Sequence, residues 1–267
     1  SSTSRGLGDV YKRQFSTERR GGYSEGAYAS FNANAYCGDD ERMVRLNRDL
    51  LCEALGLETS RLIIPHQIHG ARVRRIDEAF FMQTDAVKAV TLEGVDAVMT
   101  DVPKVCVSVS TADCIPILIY DRVHHAVAAV HAGWRSTVLR IPEAVLQAMA
   151  GAYGTRPQDV EAAIGPGISL EAFEVGNEVY EAFRTVGFPM GEMARRYPAA
   201  GDGSGRMEKW HLDLWQANRG LLEGCGVPST RIHLAGVCTY LHSERFFSAR
   251  RLGIRSGRIL NGIFLTD

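Results

Sequence analysis

Four short apolar runs crowd the middle of this chain, and they set most of what it can fold into. Ala97–Thr100, Val105–Ser110, Ile115–Tyr120 and Ala126–Val130 are rich in β-branched residues, and most are apolar at successive positions rather than at every second one. Successive strand residues face opposite sides of a sheet, so such runs belong to strands covered on both faces. A regular βαβ winding would separate these strands with helices, whereas here they follow one another almost directly. The pattern predicts an α/β protein, a sandwich with mixed β-sheets.

The flanking segments supply the helices. Asp40 is placed to cap a helix running to about Leu55, with Met43, Leu46, Leu50 and Leu51 on one face and Gly56 as its stop. Thr137–Ala150 reads as one helix with Pro142 near its first turn. Gly176–Val186 and Leu212–Glu223 read as two more. Phe15–Asn34 reads as an ordered loop turning at Gly21-Gly22, and Pro189–Arg206 as a polar, Gly-bearing loop. Further strands are expected over Leu62–Pro65, Arg72–Ile76, up to Ile164, near Ile232–Ala235 and over Ile259–Leu265.

With 267 residues, 45% of them hydrophobic, the chain can bury the core of one large domain or of two small ones, and it shows no linker or internal repeat. A net charge of -1 gives no global field for nucleic acid or anionic lipid, and no apolar run approaches a membrane span. Nucleic acid and membrane are therefore not expected partners. Oligomeric state is not legible, and a monomer is compatible with the pattern. Six scattered cysteines without a Cys-x-x-Cys pair suit free thiols in the cytoplasm. Residues 1–14 lack an initiator Met and an apolar core, and read as a non-native or disordered leader before a domain over 15–267.

Two of these strands also gather chemistry. If Asp121–His124 connects them and Tyr120 faces His125, paired numbers sum to 245 and Cys114 falls opposite His131. Opposed residues share a face with Cβ atoms about 4.5–5.5 Å apart, close enough for a thiolate and an imidazole to reach one zinc ion. The inference depends on register, because a one-residue slip sends one side chain to the other face. Both residues sit at element ends, Cys114 after Thr111-Ala112-Asp113 and His131 before Ala132-Gly133-Trp134-Arg135, where Gly133 permits a tight turn. A third ligand must come from elsewhere; His69, beside Gly70 in the segment His66–Gly70, is the leading candidate. Three protein ligands leave a position for water or substrate, as in catalytic rather than structural zinc sites.

At these residues the chain resembles a known family, the YfiH/LACC1-like group, also called DUF152 or the polyphenol oxidase family (a CNF1/YfiH-like fold). The matching segments are FSTERRGGYSEGAYASFN (15–32), HQIHG (66–70), DAVMTD (96–101), TADCIPI (111–117), HAGWRST (131–137), AAIGPGIS (162–169), FEVGNEV (173–179), HLDLWQAN (211–218) and CTYLHSERFFSARR (238–251). The resemblance implies a single-domain layered α/β sandwich with mixed β-sheets, and it implies that His69, rather than His66, joins Cys114 and His131 on zinc. It implies phosphorolysis of purine nucleosides (adenosine, inosine, guanosine and methylthioadenosine) together with deamination of adenosine. It places Arg19, Asn32, Arg250 and Arg251 among the groups that meet nucleoside or phosphate. Asp113, the carboxylate nearest the ligand set, is either a general acid/base or orienting group or, as a strand neighbour of Cys114, turned away from it. Two positions depart from the family pattern: Ser136 stands where Gly is usual, and Ala249 where many members have Tyr.

Three rival readings share these residues. Two histidines and a cysteine also suit copper, the basis of a laccase-like oxidase. Multicopper oxidases build further copper sites from His-x-His pairs, however, and the eight histidines here include none. Cys114 and His131 could form the nucleophile–base dyad of a cysteine hydrolase, an activity linked to peptidoglycan editing. A non-enzymatic binding module with a structural metal would ordinarily bring a fourth ligand.

Overall fold

The computed structural model describes residues 11–198 and 208–266. Its strands are β1 (Lys12–Ser16), β2 (Leu62–Ile63), β3 (Val73–Arg75), β4 (Ala97–Thr100), β5 (Cys106–Thr111), β6 (Ile115–Asp121), β7 (Ala126–Ala132), β8 (Val160–Ile164), β9 (Glu174–Val175), β10 (Ala194–Pro198), β11 (Glu208–Leu212), β12 (Ile232–Leu234) and β13 (Ile259–Leu265). Its α-helices are α1 (Glu41–Leu55), α2 (Glu78–Phe81), α3 (Asp85–Leu92), α4 (Trp134–Val138), α5 (Ile141–Tyr153), α6 (Asn177–Thr185), α7 (Met190–Met193), α8 (Leu214–Gly224) and α9 (Ala249–Leu252).

The strands form a six-stranded sheet ordered β12-β8-β6-β7-β4-β3, a four-stranded sheet β1-β13-β5-β2 and a three-stranded sheet β10-β11-β9. The two larger sheets are mixed: β12 runs parallel to β8, β3 to β4 and β2 to β5, and their other pairs are antiparallel. Alternation along β6 and β7 explains why both read as continuously apolar. Ile115, Ile117, Ile119, Ala128 and Val130 pack toward a core shared with α5 and α8. Leu118, Tyr120, Val127 and Ala129 pack toward Val107, Val109 and Ile263 of the four-stranded sheet. The six-stranded sheet is thus the middle layer, and the expected covering of both faces is present. No helix among the described residues is long and apolar enough to cross a membrane. All six cysteines are unpaired thiols.

Local signals predicted several boundaries well. The Asp40 carboxylate accepts hydrogen bonds from the Arg42 and Met43 N–H groups and opens α1, and Gly56, at φ 71°, closes it. The deepest residues of α1 are Val44, Asn47 and Cys52 rather than the expected apolar set. Asn47 is there because it stitches the Gly-rich segment to the helix: its amide donates to Ser24 Oγ and the Asn32 carbonyl, and its oxygen accepts from Tyr23 N–H.

Four expectations need correction. The single helix over Thr137–Ala150 is two, α4 and α5, because Arg140 is left-handed (φ 58°) and Pro142 begins a new helix where no N–H is needed. The polar loop from Pro189 instead supplies α7 and β10, which pairs with β11 from Ala194 to Pro198 and is buried only at Ala194; residues 199–207 lie outside the described residues. Leu212, expected to open a helix, is the buried end of β11, and Asp213 caps α8 by accepting from Gln216 N–H. Finally, the boundary expected after Gln14 falls inside β1: Lys12, Arg13 and Gln14 pair with Leu265, Phe264 and Ile263 and cover the edge of β13.

The β6–β7 register also differs. Asp121 faces Ala126 and Pro116 faces His131, so paired numbers sum to 247 rather than 245. A two-residue shift preserves which side chains share a face. The turn is fixed by Asp121, whose buried carboxylate accepts from the Val123 and His124 N–H groups and meets His124 Nδ1 at 2.9 Å. Burial alone would raise its pKa, but the nearby Thr155 hydroxyl together with the His124 and Val123 donors holds it below the ordinary carboxylate value. A folded pKa below the unfolded one gives stability that is present above about pH 4 and lost as pH falls. Asp121→Asn should therefore lower stability at pH 7 by about 1–3 kcal/mol, with the deficit shrinking in acid denaturation below about pH 4. A deficit equal at pH 7 and pH 3 would show that the charge is not what fixes the turn.

Candidate metal centre and its cleft

His69, Cys114 and His131 arrive from three different connections. His131 is near the end of β7, Cys114 ends the link from β5 to β6, and His69 follows β2 in the link to β3. Their ligand atoms all lie within 4.8 Å of one another. The two imidazoles meet edge-on, with centroids 4.8 Å apart at 75°. His69 is exposed, Cys114 half-buried and His131 buried, so the cluster opens on one side. His69 (φ 63°) and Asp113 (φ 89°) are both left-handed non-glycine residues, a costly backbone held in place at the site. Gly133 has a different reason to be glycine: a Cβ there would come within 2.9 Å of Cys114 Sγ and 3.0 Å of His69 Cδ2.

One residue that the sequence reading passed over organises the cluster. Asp96, fully buried ahead of β4, accepts from the N–H groups of Ile68 (3.2 Å), His69 (2.9 Å) and Gly70 (2.7 Å). It also accepts from His131 Nδ1 at 2.8 Å. The carboxylate therefore shapes the turn that carries one imidazole and fixes the ring of the other, leaving His131 Nε2 as its ligating nitrogen. Gln67 anchors the same turn: its amide donates to the Ser110 carbonyl (2.9 Å) and accepts from Ser110 N–H (2.7 Å). Burial opposes charge on Cys114, but the adjacent imidazoles outweigh it and bring the thiol down to about 6. Burial likewise opposes charge on His131, and Cys114 with Asp96 raises it to about 9. Two imidazole nitrogens and a thiolate, converging without a backbone Cβ between them, suit zinc and also suit copper. Among the described residues no other group of three such side chains converges.

The cluster lies in the wall of a cleft of about 470 Å³. Of the remaining expected site residues, Asp113 and Arg250 line this cleft, while Arg19, Asn32 and Arg251 do not. Asp113 is a brace: one oxygen accepts from Thr239 Oγ1 and the other from Arg250 N–H, both at 2.7 Å. Arg19 is spent on main chain, donating to the Ala29 and Ser243 carbonyls, with its guanidinium 5.0 Å over the Phe247 ring. Arg251 is exposed and donates to the Tyr240 hydroxyl. Asn32 is fully buried; it donates to the Asn34 carbonyl and Asp39 carboxylate and accepts from Arg258 N–H. His66 stays out of the cluster because its Nδ1 binds the Glu93 carboxylate at 2.9 Å and its ring stacks on Tyr36 at 4.3 Å. Ser136 lies inside α4, fully buried, rather than in the turn before it. Ala249 lines the cleft, where its small side chain leaves room that a larger one would fill.

The family model described as "Multi-copper polyphenol oxidoreductase laccase" matches residues 13–266. A protein of Bacteroides thetaiotaomicron named "Purine nucleoside phosphorylase" is 48% identical over 94% of this chain and 90% of its own length. "Adenosine deaminase RL5", from an unknown prokaryotic organism, is 41% identical over 94% of this chain and 92% of its own. The crystal structure of YlmD from Geobacillus stearothermophilus superposes with a TM-score of 0.83 at 30% identity, covering 96% of this chain and 92% of that one.

Proposed function

The chain belongs to the multi-copper polyphenol oxidoreductase laccase family, and from that premise we propose that it is a zinc-dependent, cytoplasmic enzyme that phosphorolyses purine nucleosides and deaminates adenosine. The observation that carries this reading is a single cluster of three donors, His69, Cys114 and His131, open to a cleft of nucleoside size. Relatives named for both activities over nearly their full length support it.

His69, Cys114 and His131 would hold the ion. When bound, it supplies Lewis-acid activation of water for attack at C6 of adenosine. The protein's own residues prepare that chemistry. Asp96 orients His131 and the His69 turn, Gly133 keeps the ligand side chains unobstructed, and Asp113 fixes Arg250 at the cleft wall. Phe173, Trp134 and Tyr36 give the cleft aromatic faces against which a purine can stack.

The laccase description implies several coppers, whereas the described residues bring together one cluster. A second reading has a specific observation behind it. Asp96, His131 and Cys114 line up as an orienting carboxylate, a base and a thiolate, the arrangement of a cysteine hydrolase. One experiment separates these readings. Purified protein is incubated with adenosine and phosphate, products are resolved chromatographically, and the incubation is repeated after chelation and after zinc is restored. The expected products are adenine with ribose 1-phosphate, and inosine, all lost on chelation and regained with zinc. Absence of these products from zinc-loaded protein, or full turnover without metal, would overturn the proposal.

A further inference from the structure

We propose that Arg258 and Arg250 form the phosphate-binding end of the cleft, an inference that rests on the phosphorolysis reading above. Both line the same cleft as the His-Cys-His cluster. Neither forms an ion pair with a carboxylate among the described residues, whereas Arg140, Arg156, Arg184 and Arg245 all do. An arginine whose charge has no counter-ion, placed in a concave wall, is a site for an anion.

Arg258 is the more strongly pre-organised of the two. Its backbone N–H donates to the oxygen of the fully buried Asn32 at 3.1 Å. Its Nη1 donates to the carbonyls of Ser256 (2.6 Å) and Gly257 (3.0 Å), and its Nη2 to that of Ile254 (3.0 Å). A guanidinium carries five N–H donors, so these three bonds fix the group and leave two for a ligand. Arg250 spends one on the Glu174 carbonyl, and its main chain is tied to Asp113. Ser110 adds a third element: its hydroxyl is buried without a protein partner and its residue lines the same cleft. Two held guanidiniums and an unsatisfied hydroxyl match the acceptor oxygens of a phosphoryl group. Asn32 then acts on the anion through Arg258, as a positioning residue.

The step this arrangement serves balances as follows. An oxygen of hydrogen phosphate bonds to C1′ of the ribose, and the C1′–N9 bond breaks. Its electron pair leaves with the purine, and the phosphate's proton ends on a purine nitrogen, giving ribose 1-phosphate and free base.

The test uses the full zinc-loaded chain, with inorganic phosphate titrated by calorimetry and steady-state phosphorolysis measured in parallel. Arg258→Met should weaken phosphate binding and raise the KM for phosphate by about tenfold or more, while the nucleoside KM moves by less than about twofold. Arg184→Met, on α6 and outside the cleft, should bind phosphate as the parent does. If Arg258→Met does not fold, Arg258→Lys, which loses the planar fork, should show the same split on a smaller scale. Equal phosphate affinity in parent and variant overturns the site. A nucleoside 5′-monophosphate is titrated in a second arm; tighter, Arg258-dependent binding of it would assign the arginines to the substrate's own phosphate instead. Arg258-dependent phosphate binding without ribose 1-phosphate would keep the anion site and remove the phosphorolysis reading. Phosphorolysis indifferent to Arg258 would do the reverse.

Discussion

Cys114→Ala should eliminate both phosphorolysis and deamination, by at least about a thousandfold, equivalent to about 4 kcal/mol of transition-state stabilisation. The expectation follows from geometry. Cys114 is the one sulfur donor of the cluster, and it reaches both imidazoles because Gly133 offers no Cβ to block it. Removing it leaves two imidazoles, too few protein ligands for a catalytic zinc site. The bound metal, measured by atomic absorption after dialysis, should fall from about one per chain to near zero. Cys225→Ala removes a half-buried thiol at the end of α8, outside the cleft, and should keep both metal and turnover. Parent-level nucleoside turnover in Cys114→Ala would end the mechanism. Retained metal with lost turnover would instead favour Cys114 as a nucleophile.

Asp96→Asn is the second large effect, and its cause is a proton rather than a lost ligand. In the native protein the carboxylate can only accept, so His131 carries its proton on Nδ1 and presents Nε2 to the cleft. An asparagine can turn its amide N–H toward Nδ1, which moves the imidazole proton to Nε2 and blocks ligation. Metal affinity should fall by about 10–100-fold, the usual effect of removing such an orienting partner. Asp96→Ala should go further. It leaves the N–H groups of Ile68, His69 and Gly70 without their acceptor, and stability should drop by about 3 kcal/mol or more, read as a fall in the denaturant midpoint. Metal affinity unchanged in Asp96→Asn would show that the carboxylate shapes only the loop.

Much of this protein is local and therefore legible in its sequence. Capping by Asp40 and termination at Gly56 depend on a few neighbouring residues, and α1 begins and ends where they put it. The apolar runs became β4 to β7 because alternation is a property of the strand itself, and Ile259–Leu265 is β13 without adjustment. The pairing of Cys114 with His131 on one face survived an incorrect register because the error was two residues, and side chains repeat every two.

The residues that sequence reasoning missed are bound by contacts between distant parts of the chain. Asp96 reaches His131 across 35 residues and His69 across 27, and nothing in a single acidic residue before an apolar run announces both partners. Arg19 and Arg258 differ in no local property that would separate them. One is tied to the carbonyls of Ala29 and Ser243, while the other is brought to the cleft by Asn32, 226 residues away. The sequence by itself determined the mixed sheet, the ends of α1 and the shared face of Cys114 and His131, because periodicity and capping act over a few residues, while His69 was singled out by resemblance to the family. Tertiary structure alone decided the strand register, the carboxylate that aims the ligands and which arginines face the cleft, because each follows from packing segments far apart in the chain.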